Sequence, residues 1–148
     1  MYLINYKLYN DMNEKISETE EKIGWSFPED YISFIRKYNY AVFGNAYFND
    51  LEFQIKSLLN IDSGIVNSVY KSGLKVNKAL NNVEYKMVPI IIAENEREKY
   101  ASRICYNKED DKLYLVSYNF EELNDGDTSY LADTFTELLS MFYEKTLE

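Results

Sequence analysis

The sequence has no histidine, and that absence excludes more than its size suggests. Histidine is the usual general acid or base at neutral pH, the commonest metal ligand and the proton carrier of nucleophilic triads. One cysteine, Cys105, leaves no internal disulfide to form, and a structural zinc site would have to be built from carboxylates alone. Basic residues are outnumbered: 16 Lys plus Arg stand against 25 Asp plus Glu, for a formal charge of −9 and a pI near 4.6. Such a chain repels phosphate backbones, so nucleic acid is not an expected ligand, whereas a basic protein is a well-matched one. Long apolar runs are missing too. The longest, VPIIIA at 88–93, is too short to span a bilayer, and MYLINYKLYND has neither a basic n-region nor an uninterrupted apolar stretch. The expectation is a cytoplasmic protein with no membrane contact, metal, cofactor or enzymatic chemistry.

What is present is material for a core. Across 148 residues, 46% are hydrophobic, and a chain of this length buries about 68–70% of its unfolded surface. No internal repeat, low-complexity tract or linker divides it, so residues 1–148 read as a single domain. In DMNEKISETEEKI, Met12, Ile16, Thr19 and Ile23 recur at four, three and four, which predicts a helix over 12–23 with Asp11 as N-cap and Gly24 as stop. A second helix follows at once. Ser26 is its expected cap, Glu29 sits at the capping-box position, Pro28 suits the first turn, and Tyr31, Phe34, Ile35 and Tyr38 form a core-facing stripe.

Leu51, Phe53 and Ile55 then alternate with Glu52, Gln54 and Lys56 as in a half-buried strand, after the turn residues Asn49 and Asp50. Residues 61–82 show weak helical spacing interrupted by two glycines. MVPIIIAE at 87–94 reads as a buried strand, and YASRICYN and KLYLVSYN as a hairpin turned by KEDD. Leu113 to Val116 are apolar on both pleat faces, which predicts a central strand covered on both sides. A polar loop over 119–128 leads to a C-terminal helix that places Leu131, Phe135, Leu138, Leu139 and Phe142 inward, with Asp127, Thr128 or Ser129 as cap. The fold class is α+β: two N-terminal helices, a mainly antiparallel sheet and a C-terminal helix packed on it.

The string IGWSFPEDYISFIRKYN at 23–39 resembles the signature of the SUKH superfamily, the yeast cell-wall-assembly regulator family with its many bacterial relatives. Ile23, Gly24, Pro28, Tyr31, Phe34 and Asn39 stand at the matching places, with Phe27 where leucine is common and Tyr40 where a glycine is expected. VPI at 88–90, the RICYN and DKLYLVSYN hairpin and LADTFTELL at 131–139 resemble the family's later strand, hairpin and C-terminal helix in the same order. The resemblance implies a binding function. Bacterial members are immunity proteins that neutralise a cognate toxin domain, such as a nuclease, by tight binding in the cytoplasm; fungal members are intracellular scaffolds or regulators, which is the alternative here.

On either reading the signature aromatics are expected in the core, with Trp25 partly exposed, and Cys105 as a buried inert thiol. NDGDTS at 124–129 supplies Asn124, Asp125 and Asp127 as oxygen donors but lacks the glutamate and alternate ligands of a calcium loop. An inhibitor of a basic toxin would present carboxylates with aromatics among them. Two segments carry both: Tyr106, Glu109, Asp110 and Asp111 around the first turn, and Tyr118, Phe120, Glu121, Glu122, Asp125 and Asp127 around the second, all expected to touch the partner.

Overall fold

The computed structural model describes residues 2–5, 9–39, 41–48 and 53–144. Helix α1 (Met12–Ile23) buries Met12, Ile16, Thr19 and Ile23, the face expected from their spacing. It ends at Gly24, whose φ of 73° is a left-handed conformation that suits a residue without Cβ and whose N–H donates to the Glu20 carbonyl at 2.8 Å. Lys108 Nζ donates to the Ile23 carbonyl at 2.7 Å, placing a cation at the negative end of the helix dipole. Asp11 is the N-cap, but its side chain makes no capping bond; its carboxylate lies 3.7 Å from Lys15 instead.

Helix α2 (Glu29–Tyr38) starts later than the expected Ser26 cap. Pro28 is itself the N-cap, with extended backbone (φ −59°, ψ 148°), and a proline also holds the residue before it extended, so Ser26 stays outside the first turn. Glu20 stabilises the corner by accepting the Phe27 N–H at 2.8 Å. Tyr31 and Ile35 are fully buried, while Phe34 and Tyr38 are half-buried at the edge of the same stripe.

Seven strands pair antiparallel in chain order: β1 (Tyr2–Asn5), β2 (Val42–Phe48), β3 (Phe53–Leu58), β4 (Met87–Glu94), β5 (Tyr100–Asn107), β6 (Leu113–Asn119) and β7 (Asn124–Ala132). A short β8 (Tyr143–Glu144) also pairs with β2. In β3, Phe53 and Ile55 point inward and Gln54 and Lys56 are half-exposed, as the alternation requires; Asn49 to Glu52, like Tyr40, lie outside the described residues. The β5–β6 hairpin runs in unbroken register from Tyr100 opposite Asn119 to Tyr106 opposite Leu113. Strand β6 is covered on both faces as expected, but it is second from the sheet edge rather than central.

The apolar side chains of the sheet fall into two clusters. Ile104, Tyr106, Leu113 and Leu115 join α1, α2 and Phe135, whereas Cys105 and Val116 join Val76, Ala79 and Met87. Alternate residues of a strand point to opposite faces, so helix α3 (Val69–Ala79) covers the face away from α2. This helix occupies the weakly periodic stretch 61–82. Asn77 pins it to β4: its Oδ1 accepts from Lys86 N and Met87 N at 3.0 and 2.9 Å, and its Nδ2 donates to the carbonyls of Gly73 and Met87.

Gly73 leaves room for Tyr85. A Cβ built there would lie 1.7 Å from the tyrosine oxygen, and Tyr85 is held by bonds to the carbonyls of Val69 (2.9 Å) and Tyr70 (3.2 Å) and by stacking on the Tyr70 ring. Gly73→Ala therefore destabilises the protein by about 1–3 kcal/mol, against alanine's better helix propensity. Urea unfolding checks this. The same substitution in a Tyr85→Ala background removes most of the penalty, and an undiminished penalty there rules out the clash as its cause.

The end of the chain departs most from expectation. The polar loop is confined to 120–123, and NDGDTS forms the first part of β7 rather than a helix cap. Helix α4 (Phe135–Ser140) is correspondingly short, with Thr134 Oγ1 accepting the Glu137 N–H at 3.1 Å in place of Asp127, Thr128 or Ser129, and Leu131 belongs to the strand. The reason is exposure. An edge strand buries little, so only Leu131 and Ala132 of β7 carry an apolar signal.

Candidate partner-binding surface

The turn between β6 and β7 is a rigid platform. Asn119 Oδ1 accepts the N–H groups of both Glu121 and Glu122 at 3.0 Å, and its carbonyl accepts the Leu123 N–H at 2.9 Å. Leu123 and Asp125 both adopt positive φ, 53° and 54°, a conformation that costs a side-chain-bearing residue about 1–2 kcal/mol and fixes the direction of the chain entering β7. Phe120 is thereby presented to solvent at 51% exposure beside the exposed carboxylates of Glu121 and Glu122.

Strand β7 continues this surface with Asp125 and Asp127, both exposed; Tyr130, 54% exposed, lies at the far end of the strand, opposite Tyr114. The Tyr130 hydroxyl donates to Asp133 at 2.6 Å; that bond pushes the phenol up to about 12 and holds the Asp133 carboxyl below its ordinary range, with Lys112 at 3.5 Å helping. Lys99 approaches Glu121 only at 4.0 Å with both side chains more than half exposed, so it neutralises little of the edge. The turn and the start of β7 thus offer one exposed aromatic, Phe120, among four carboxylates.

Glu109, Asp110 and Asp111 lie at the other end of β6, roughly 20 Å away for seven residues of extended strand. These acids are all engaged in local structure. Glu109 pairs with Lys86 at 3.5 Å, Asp110 accepts from Lys112 N and from the Tyr114 hydroxyl, and Asp111 accepts from Trp25 Nε1 at 2.7 Å. The two acidic segments therefore do not form one patch.

Tyr106 and Tyr118, expected among the contact residues, are buried. Tyr106 packs against Trp25 and Tyr31 at ring distances of 5.2 and 6.0 Å, and burial pushes its phenol well above the ordinary value, as it does for Tyr118. The sequence places these tyrosines next to acids, but strand alternation turns them away from solvent. Cys105 is likewise buried, and burial raises its thiol far above the range of a reactive thiolate.

The signature residues are structural. Gly24 and Pro28 make the corner, and Tyr31 links α2 to Phe135 of α4 at 5.5 Å. Phe34 meets the same Phe135 at 5.2 Å, and buried Asn39 accepts the Ile61 N–H at 3.3 Å, tying the end of α2 to the loop before α3. Trp25 is half-buried, as expected.

A groove of about 520 Å³ on the α3 side of the sheet was not foreseen. Its lining includes Lys75, Ile92, Arg103, Tyr118, Phe120 and Leu123, brought together from α3 and three strands. Only an assigned α3 could have revealed it.

Among the described residues no helix is long and apolar enough to cross a membrane. No match is found among curated proteins. The model of the SMI1 / KNR4 family (SUKH-1) matches residues 13–141, a span running from the first turn of α1 to the end of α4, and the chain therefore belongs to the SMI1/KNR4 (SUKH-1) family.

Proposed function

We propose that the protein is an immunity-type binding protein, which neutralises a cognate bacterial toxin domain in the cytoplasm by stoichiometric binding and performs no chemistry of its own. Family membership supports a SUKH-domain protein, a group that includes immunity proteins. The observation that carries the finer reading is the exposed turn and strand start formed by Phe120, Glu121, Glu122, Asp125 and Asp127. Aromatics that can be desolvated act as anchors in protein interfaces, and carboxylates around them steer a basic partner and repel a second copy of the same acidic chain. A nuclease is a fitting target, because a cleft built to receive phosphates is basic.

The test uses the product of the neighbouring gene as toxin. Charge reversal of Glu121, Glu122, Asp125 and Asp127 to lysine slows association by about 10- to 100-fold at low salt and flattens its salt dependence. Stopped-flow fluorescence measures both. Reversal of Glu109 and Asp110 leaves association within about twofold, since those acids sit at the far end of β6. Unchanged association in the fourfold variant rejects this surface, and cells that survive the toxin without the protein reject the immunity reading in favour of an intracellular scaffold.

A further inference from the structure

Arg103 is out of place electrostatically. It is half-buried on β5, and charges removed from water are ordinarily paired. Its Nη1 donates to the carbonyl of its neighbour Ser102 at 2.8 Å, its Nε is sealed from solvent without an acceptor, and no carboxylate pairs with it among the described residues. The nearby groups do not explain it: Tyr118 is neutral at ordinary pH, and Cys105 stays a thiol.

The side chain forms part of the wall of the 520 Å³ groove. That volume lies within the range of small-molecule sites, roughly 300–1,000 Å³. Lys75 of α3 stands on the opposite wall, also without an ion pair among the described residues. The groove's two acids are more than half exposed, Glu94 at 61% and Glu121 at 53%, so water screens them. The half-buried charge in the wall is the single positive one of Arg103. Around it lie Ile92, Ala101, Tyr118, Phe120 and Leu123.

We infer that this groove is a binding site for a small organic monoanion, a carboxylate on an apolar or aromatic body, with Arg103 and Lys75 receiving the carboxylate and the aromatic wall receiving the body. A guanidinium presents a planar fork matched to a carboxylate. A dianion such as phosphate fits less well, because Glu94 and Glu121 stand at the same groove and there is little apolar contact for phosphate to gain. The site shares Phe120 and Glu121 with the proposed partner surface, but its charge comes from Arg103 and Lys75, which that surface does not use.

Benzoate is the probe, and the ¹H–¹⁵N signal of the Arg103 Nε–H group is the reporter. Benzoate shifts this signal saturably, with a Kd on the order of 1 mM for a ligand of about nine heavy atoms. Benzamide, the neutral isostere, produces no saturable shift at the same concentrations, and inorganic phosphate binds more weakly than benzoate. Arg103→Gln weakens benzoate binding by about tenfold or more and Lys75→Gln by a few fold, read from backbone amide shifts around the groove. Lys75 and Phe120 are exposed, so Lys75→Gln and Phe120→Ala keep the fold and decide the matter even if Arg103→Gln does not. Equal titration by benzoate and benzamide, or unchanged benzoate affinity in both Lys75→Gln and Phe120→Ala, overturns the assignment.

Discussion

Tyr31→Ala lowers the free energy of unfolding by about 3–5 kcal/mol, whereas Tyr31→Phe leaves it unchanged or raises it by about 1 kcal/mol. The contrast follows from the two parts of the side chain. The ring is fully buried and touches the rings of Phe27, Tyr106 and Phe135 at 4.9, 6.0 and 5.5 Å, so it joins α2 to β5 and α4 at one point. Removing it opens a cavity where three elements meet. The hydroxyl is also buried and has no hydrogen-bond partner among the described residues, so folding strips it of water without compensation. Removing the oxygen alone relieves that penalty. Urea unfolding of the two variants at neutral pH measures both effects. A phenylalanine variant destabilised by more than about 1 kcal/mol would mean that the hydroxyl has a partner, and the unsatisfied-group account would then be wrong. Because Tyr31 supports the fold rather than the sheet edge, the phenylalanine variant also keeps the affinity of the unmodified protein for the proposed toxin.

Tyr31 illustrates what the sequence made legible. Helix α1 was readable because its apolar residues obey one period and Gly24 ends it, and the core stripe of α2 because its aromatics fall at i, i+3, i+4 and i+7. The β5–β6 hairpin was readable because a polar turn separates two β-rich runs. Strand β7 was not, since Asp125, Asp127, Thr128 and Ser129 bury nothing and so show no alternation of apolar and polar residues. Helix α3 was blurred for a related reason: Gly73 and Asn77 occupy its buried face, where apolar residues are ordinarily sought. Both positions are dictated by tertiary contacts, with the Tyr85 ring and with the β4 backbone. The exposure of the candidate contact residues was half legible. Acidity and aromatics pointed to the β6–β7 turn, but adjacency in sequence also drew in Tyr106 and Tyr118, which the pleat turns inward. The groove at Arg103 was beyond reach, because its walls come from α3 and three strands whose juxtaposition no local pattern encodes.

The burial that hides these tyrosines also makes the protein sensitive to alkali. Tyr31, Tyr85 and Tyr106 all have phenols raised well above their ordinary value of 10.0, in each case chiefly by desolvation. An acid raised on folding keeps its proton in the folded state while the unfolded chain releases it. Above about pH 10 the unfolded state therefore binds fewer protons than the folded one, and stability falls as pH rises, by about 1.4 kcal/mol per pH unit for each such group. Three tyrosines together give about 4 kcal/mol per unit, and Cys105, raised from 9.0 by burial, adds to the slope from about one unit lower. Since small domains are stable by about 5–15 kcal/mol, the protein unfolds cooperatively within about one to three units above pH 10. Tyrosinate absorbance resolves the mechanism. The buried set ionises only together with the loss of far-ultraviolet circular dichroism. Tyr31→Phe reduces the alkaline slope of urea-derived stability by one group, about a quarter to a third of the total. Smooth ionisation of every tyrosine near pH 10 in a protein that keeps its circular dichroism would show that the cluster of Tyr31 and Tyr106 is open to water.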